Sequence, residues 1–123
     1  MAKKILFVED EPSLQKAVSE VLVQEGFEAL SAPDGEEGLK ITREEKPDLI
    51  LLDLILPKKD GFEVLKELKA DEKLKDIPVI VLTNLEGIGD VEKALSLGAK
   101  TYLVKANYEL EDLLKMVKEH LRK

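Results

Sequence analysis

The chain has 123 residues and a formal net charge of −7, with 26 acidic and 19 basic side chains. This length fits one domain with its own apolar core, and the absence of cysteine excludes disulfides and thiolate metal sites. An acidic chain is unsuited to nonspecific binding of nucleic acid or an anionic membrane, because both require a basic surface. No apolar run spans a bilayer or resembles a secretory signal. We therefore expect one soluble, cytoplasmic domain over residues 1–123 that binds neither nucleic acid directly nor membrane.

Five apolar runs of strand length recur along the chain, and a segment with helical periodicity follows each of them. The runs cover residues 4–8, 27–31, 48–53, 77–83 and 101–105. The first helical segment is the best marked, because Pro12 lies near its first turn and Gly26 just past its end. Asp60 is a candidate cap for the third helix, and the last helix repeats leucine at helical spacing. The segment near 34–45 is less periodic, and the one near 90–97 is shorter.

Strands that alternate with helices and are joined by right-handed crossovers form a parallel sheet covered on both faces. The sequence therefore predicts a doubly wound α/β fold. In such folds ligands bind outside the carboxyl ends of the strands, near the point where the strand order reverses. The residues that end the apolar runs are for this reason the candidate functional residues.

Polar side chains stand at the ends of four of the predicted strands. Glu9 and Asp10 follow the first strand, Asp53 ends the third, Thr83 ends the fourth and Lys105 ends the fifth. Three neighbouring carboxylates repel one another unless a cation neutralises them, and a set of oxygen ligands suits Mg²⁺. A carboxylate can also attack a phosphoryl donor when a metal, a hydroxyl and an ammonium stabilise the transferred oxygens. The five residues predict a metal and phosphoryl site.

Each of these residues also has a simpler interpretation when it is taken alone. Asp10 or Glu11 could cap the helix that follows the first strand. Thr83 could be an ordinary strand-end hydroxyl, and Lys105 a solvated surface lysine. Outside this set, we expect His120 on the surface of the last helix and two loop lysines, at 58 and 59, in solvent.

Four motifs at ordered spacing carry a resemblance to a known family. They are FVEDEP at 7–12, LDLILP at 52–57 with Asp60 and Gly61, VLT at 81–83 and YLVK at 102–105. Together they resemble a response-regulator receiver domain of the CheY type. The resemblance covers the whole chain and implies a flavodoxin-like (βα)5 fold, with a five-stranded parallel sheet of order 2-1-3-4-5 and helices on both faces. It also implies a receiver domain over residues 1–123 that stands alone, without an output domain.

The resemblance assigns a role to each acid. Asp53 would be the phosphoacceptor, which carries an aspartyl phosphate in one state of the protein. Asp10 would be the principal Mg²⁺ ligand, and Glu9 a second acid that acts largely through water. Asp53 and the backbone carbonyl of Ile55 would complete the protein ligands of the metal.

The resemblance also implies how the phosphoryl group is sensed. Thr83 would bond one phosphoryl oxygen and Lys105 would pair with another. Tyr102 would turn inward when Thr83 moves, so these two residues would form the switch. The surface that changes would be the fourth helix, fifth strand and fifth helix, around residues 91–97 and 108–117.

The sequence departs from the family pattern at three positions beside these residues. Glu9 stands where the family most often has aspartate. Asn84 follows Thr83 where a small residue is usual, at the entrance used by the phosphodonor. Ala106 replaces the proline that usually follows Lys105 in a cis bond, so this bond is either trans or held cis at a cost of roughly 3–4 kcal/mol.

The function implied is two-component phosphorelay signalling. A sensor histidine kinase or a histidine phosphotransfer protein would supply the phosphoryl group, and a downstream effector protein would bind the altered surface. The protein would be a switch, not an enzyme, with only self-catalysed phosphorylation and dephosphorylation. One alternative is a degenerate receiver that binds a partner independently of phosphorylation. Another is a phosphohydrolase, which would need a second aspartate at position 55, where this chain has Ile55.

Overall fold

The computed structural model describes residues 2–121, in which five parallel strands alternate with five helices. The elements are β1 (Lys4–Val8), α1 (Pro12–Gln24), β2 (Glu28–Ala32), α2 (Gly35–Glu45), β3 (Leu49–Leu52), α3 (Gly61–Ala70), β4 (Val79–Thr83), α4 (Ile88–Ser96), β5 (Thr101–Val104), a 3₁₀ turn (Lys105–Asn107) and α5 (Leu110–Leu121). All five predicted strands are present. Their ends differ from the predicted ones by at most two residues, and the larger shift is at β4, which begins after Pro78 because proline has no N–H to donate.

The five strands form one parallel sheet of order β2-β1-β3-β4-β5, which confirms the predicted fold. Val8 is paired with Leu52 in the register of β1 and β3. Thr83 is paired with Val104 in the register of β4 and β5. The residues just past these pairs therefore emerge together at one edge of the sheet, where the predicted site residues are.

The sheet is buried on both faces, as a parallel sheet with crossover helices requires. Side chains alternate along β1, so that Leu6 and Val8 face one core cluster while Ile5 and Phe7 face the other. Helices α2, α3 and α4 cover the first face, and α1 and α5 cover the second. Two apolar layers thus fix the sheet, and with it the ends of the strands.

The helices next to the strand ends begin in two different ways. Asp34 and Asp60 cap α2 and α3, since their side chains accept the backbone N–H groups of Glu37 and Glu63 at 2.8 and 3.0 Å. By contrast, α1 begins at Pro12 and Glu11 makes no side-chain cap. The acids after β1 are therefore not used as helix caps.

Within residues 2–121, no helix has both the length and the apolar character needed to cross a membrane.

Candidate functional site

Three carboxylates meet at the carboxyl edge of the sheet. Oxygens of Glu9, Asp10 and Asp53 all lie within 4.8 Å of one another. The backbone hydrogen bonds of the sheet extend one residue past the strands. The N–H of Glu9 donates to the carbonyl of Ala32 at 2.9 Å, and the N–H of Asp53 donates to the carbonyl of Val8 at 3.1 Å. Glu9 is 1% exposed and Asp53 is 3% exposed, whereas Asp10 is open to solvent. Two buried acids and one exposed acid therefore share one small space.

Glu9 is the most deeply buried of these acids, and its two oxygens have different partners. One oxygen accepts the N–H of Glu11 at 3.1 Å, and the other lies 2.6 Å from the Lys105 ammonium. Burial raises the pKa of Glu9, because it disfavours the charged form, and the charge of Asp53 raises it further. The ion pair with Lys105 opposes both effects. The pKa of Glu9 is raised overall, and Lys105 limits that rise.

Lys105 joins both buried acids. Its Nζ lies 2.9 Å from Asp53 Oδ2 in addition to its contact with Glu9. Burial acts to lower the pKa of Lys105, but the hydrogen bonds and charges of the two acids outweigh it and the pKa is raised. None of the peptide bonds in residues 2–121 is cis, so the bond to Ala106 is trans. Lys105 reaches the site from the first position of a 3₁₀ turn with its side chain only 16% exposed, so the interpretation as a solvated surface lysine is wrong.

Thr83 contributes a buried hydroxyl that has no partner. The residue is 0% exposed, and within residues 2–121 its Oγ1 makes no hydrogen bond. A buried hydroxyl left without a partner costs about 1–3 kcal/mol, and such groups are rare in folded proteins. Since Thr83 ends β4 between β3 and β5, this hydroxyl lies at the same edge of the sheet as the acids. Asn84, which follows it, is exposed.

Two further predicted residues flank the acids. The N–H of Ile55 donates to Asp53 Oδ1 at 3.2 Å, and its side chain is 55% exposed beside the phosphoacceptor candidate. Tyr102 is partly buried, and its hydroxyl donates to the backbone carbonyl of Leu85 at 2.8 Å. Burial raises the pKa of Tyr102, and the charges of Asp90 and Asp53 add to the effect. The ring of Tyr102 is therefore turned toward the β4–α4 loop, and its part in switching stays a prediction.

A family model for the response regulator receiver domain matches residues 5–118 of this chain. The chain belongs to the response regulator receiver family. Receiver domains of this kind act in two-component signalling, so the coarse function that the sequence predicts is confirmed.

Similar curated proteins are longer than this receiver domain. The DNA-binding dual master transcriptional regulator RpaA of Synechocystis is 40% identical over 120 residues, which cover 98% of this chain and 49% of that protein. The alkaline phosphatase synthesis transcriptional regulatory protein PhoP of Bacillus subtilis is 43% identical over 85% of this chain and 43% of that protein. The chain therefore spans about half the length of these relatives.

Solved receiver structures have the same fold. The chemotaxis response regulator CheY4 of Vibrio cholerae is 30% identical, with a TM-score of 0.91 over 98% of this chain and all of that one. The BeF3-activated receiver domain of RstA from Klebsiella pneumoniae is 31% identical, with a TM-score of 0.90 over 98% of this chain and all of that one. The phosphorylated cyanobacterial phytochrome response regulator RcpA is 38% identical, with a TM-score of 0.84 over 97% of this chain and 91% of that one.

The site of this receiver domain suits a hard cation. Its acids supply carboxylate oxygens, and an exposed ligand such as Asp10 leaves room for water. Mg²⁺ prefers oxygen ligands, keeps several waters and accepts one or two carboxylates. The three acids that the resemblance assigned to the metal are thus compatible with Mg²⁺ in donor chemistry and in spacing.

Three residues that the sequence placed in solvent or on the surface approach other side chains in this receiver domain. Lys59 was expected in solvent, but its ammonium pairs with Glu67 of α3. Lys58 is exposed as predicted, with Nζ 3.9 Å from Asp34 Oδ2. His120 is partly buried and its Nε2 lies 3.1 Å from the hydroxyl of Thr101, so its simple surface assignment is wrong.

Two glycines also support the site: Gly61, which belongs to the family motif, and Gly35, which sequence reasoning missed. Gly35 and Gly61 each begin a helix directly after a capping aspartate, and each lies against backbone of the loop between β3 and α3. The repeated pair Asp-Gly at positions 34–35 and 60–61 is the signal that could have identified them. In sequence, this pair predicts only a turn or a helix start.

Proposed function

We propose that Asp53 accepts a phosphoryl group from a phosphohistidine of a sensor histidine kinase or of a histidine phosphotransfer protein. The observation that carries this proposal is a buried Asp53 carboxylate with an ammonium at 2.9 Å and an unpartnered buried hydroxyl, that of Thr83, at the same strand edge. An Asp53 oxygen forms the new bond to phosphorus while the bond from phosphorus to the imidazole nitrogen breaks. The nitrogen keeps the electron pair, and the product is an aspartyl phosphate.

The surrounding residues supply what this transfer requires. Lys105 would pair with one phosphoryl oxygen, and the hydroxyl of Thr83 would donate to another, which would give the orphaned hydroxyl its partner. Glu9, Asp10, Asp53 and the carbonyl of Ile55 would hold Mg²⁺. When bound, the metal neutralises negative charge between the carboxylates and the phosphoryl oxygens.

The state of the phosphoryl group would then be passed on through the protein surface. In this proposal Thr83 and Tyr102 switch together, and the surface of α4, β5 and α5 changes its affinity for a downstream effector. Two similar structures are named as activated or phosphorylated forms, which supports a phosphorylation-dependent switch. The similar curated proteins are named as transcriptional regulators. We propose that residues 1–123 themselves make no direct contact with nucleic acid.

We propose that the protein is not a phosphatase and catalyses only its own phosphorylation and dephosphorylation. The side chain of Ile55 beside Asp53 can neither transfer a proton nor orient an attacking water. A phosphohydrolase of the type that uses aspartate as nucleophile needs an acid at this position. The lifetime of the aspartyl phosphate should therefore depend on the residue at position 55. Ile55→Asp should shorten this lifetime.

Intact mass measurement after incubation with Mg²⁺ and acetyl phosphate tests the proposed function. The native chain should gain one phosphoryl group, and Asp53→Asn should gain none. Asp48→Asn is the matched control, because Asp48 binds the N–H of Lys4 at the opposite edge of the sheet. Equal addition to Asp53→Asn and to the native chain would contradict the assignment of Asp53. Absence of any addition to a folded native chain would support the degenerate receiver.

A further inference from the structure

Helix α2 touches the loop between β3 and α3, residues 53–60, although none of the predicted site residues lies in α2. A Cβ added at Gly35, the first residue of α2, would collide with the carbonyl oxygen of Lys59 and lie 2.8 Å from Val64 Cγ2. Contacts this short do not occur, so any other residue would force the helix and the loop apart. The start of α2 is therefore packed directly on the backbone of the loop.

The same loop is fixed at its other end by α3. A Cβ added at Gly61 would collide with the carbonyl oxygen of Asp53, and the N–H of Gly61 donates to Leu54 at 3.0 Å. The first residue of α3 thus lies on the backbone of the phosphoacceptor candidate. Between these two glycines, the loop has backbone contacts on both sides.

Side chains add a second set of contacts across the loop. The ammonium of Lys59 pairs with Glu67 of α3, and Arg43 of α2 approaches the other oxygen of Glu67 at 3.7 Å. The ion pair with Lys59 holds the pKa of Glu67 below its usual range. The carboxylate of Glu67 thus joins both the loop, through Lys59, and α2, through Arg43, to α3.

The loop also holds a backbone conformation that its sequence does not favour. Lys58 has φ of 66°, in the left-handed region, which is unfavourable for a residue with a Cβ. Such a conformation persists only where surrounding contacts determine it. Lys59, the residue next to Lys58, is held by Gly35 against its carbonyl group and by Glu67 on its ammonium, and these contacts meet that requirement.

We propose that Gly35 and the Lys59–Glu67 pair are positioning residues that set the Mg²⁺ affinity of the site by fixing the β3–α3 loop. This proposal rests on the proposed function, in which the carbonyl of Ile55 in this loop is a metal ligand. Mg²⁺ requires nearly ideal octahedral geometry, so a small displacement of one oxygen weakens its binding. A helix that touches no ligand would in this way control the metal through the loop backbone.

Calorimetric titration of the full chain with Mg²⁺, without a phosphodonor, tests this proposal. Gly35→Ala should weaken Mg²⁺ binding about tenfold, the size of effect typical for residues that orient metal ligands. Gly89→Ala is the control, because a Cβ at Gly89 in α4 meets nothing within 4 Å. Unchanged Mg²⁺ affinity in a folded Gly35→Ala would overturn the proposal.

A second variant separates positioning from electrostatics. Removal of a positive charge near the site should tighten Mg²⁺ binding if charge alone acts. If Lys59 instead positions the loop, Lys59→Met should bind Mg²⁺ about threefold more weakly. This size is expected for the loss of one partly exposed ion pair. Lys66→Met, an exposed lysine of α3, is the control and should not weaken binding. Binding by Lys59→Met as tight as by Lys66→Met would contradict the proposal, and this variant decides the matter if Gly35→Ala does not fold.

Two further measurements distinguish this proposal from the proposed function. At saturating Mg²⁺, Gly35→Ala should be phosphorylated by acetyl phosphate at nearly the native rate, because its defect is in metal affinity. Its free energy of unfolding in EDTA reports the purely structural cost. If the native chain is phosphorylated on Asp53 but neither variant has altered Mg²⁺ affinity, the positioning role fails while the proposed function stands. If the native chain binds no Mg²⁺, both fail.

Discussion

The two helices beside the site are held to very different degrees. Helix α3 buries four residues, Gly61, Val64, Leu65 and Leu68, and its first residue lies on the backbone of Asp53. Helix α4, within the described residues, buries only Ala94 and leaves Ile88 78% exposed. The side of the site that would hold the metal is firmly packed, and the side that would switch is not.

Polar contacts show the same difference. On the α3 side, Glu9, Asp53, Lys105 and Lys59 all take part in ion pairs. On the α4 side, the hydroxyl of Thr83 has none, while α4 and its loop are held by Lys93 over the ring of Phe62 at 4.4 Å and by Tyr102 on Leu85. Segments that move are drawn from the less stable parts of a protein. Rigid packing thus places the charges, and the loosely packed α4 is the helix that would respond in the proposed function.

The largest expected effect compares one leucine in each helix. Leu65 in α3 is 0% exposed, so Leu65→Ala should lower the free energy of unfolding by about 3 kcal/mol, through lost burial and a cavity. Leu95 in α4 is 45% exposed, so Leu95→Ala should cost about 0.5 kcal/mol or less. Urea unfolding of the two variants measures both. Similar costs would show that α4 is as firmly packed as α3.

The next largest effect compares two buried threonines, whose replacement by valine should change the free energy of unfolding in opposite directions. Thr83→Val removes a hydroxyl that has no partner and should raise the free energy of unfolding by about 1 kcal/mol without a phosphodonor, while phosphorylation slows. Thr42→Val removes a hydroxyl that donates to Gly38 at 2.7 Å and should lower the free energy of unfolding by about 1 kcal/mol. Thermal or urea unfolding of the two variants measures both changes. A loss of stability in both variants would mean that the hydroxyl of Thr83 is not orphaned.

The smallest expected effect concerns Lys58, the residue with left-handed backbone in the loop between β3 and α3. Lys58→Gly relieves the left-handed conformation but adds freedom to the unfolded chain, so the net gain in stability should be ~0.5 kcal/mol. Lys66→Gly, in the interior of α3, should instead cost about 1 kcal/mol. A loss of stability in Lys58→Gly would show that the loop does not impose the conformation of residue 58.

The fold was predictable because its signal is repeated and strong. Five apolar runs with helices between them allow few arrangements, and the family motifs indicated the strand order that the structure has. Helix α4 was predicted near residues 90–97 and runs over Ile88–Ser96. This helix is short, and Ala94 is its one buried residue within the described chain, so few residues in the sequence mark its buried face.

The site was predictable only as far as strand ends determine it. Glu9, Asp53, Thr83 and Lys105 follow or end neighbouring strands, and the register brings them to one edge. The contact between Gly35 and the β3–α3 loop depends on the distance between two separate segments, which no local pattern contains. The unpartnered hydroxyl of Thr83 and the trans bond after Lys105 also depend on the whole structure.

The positive charge of the site is the last of its charged groups to be synthesised. Glu9, Asp10 and Asp53 leave the ribosome well before Lys105, and β1 pairs with both β2 and β3, so the strands that carry the acids can associate before β5 exists. Without the ammonium, the gathered carboxylates repel one another. Docking of β5 therefore removes a repulsion as well as burying apolar surface, which favours folding once the last strand has been made.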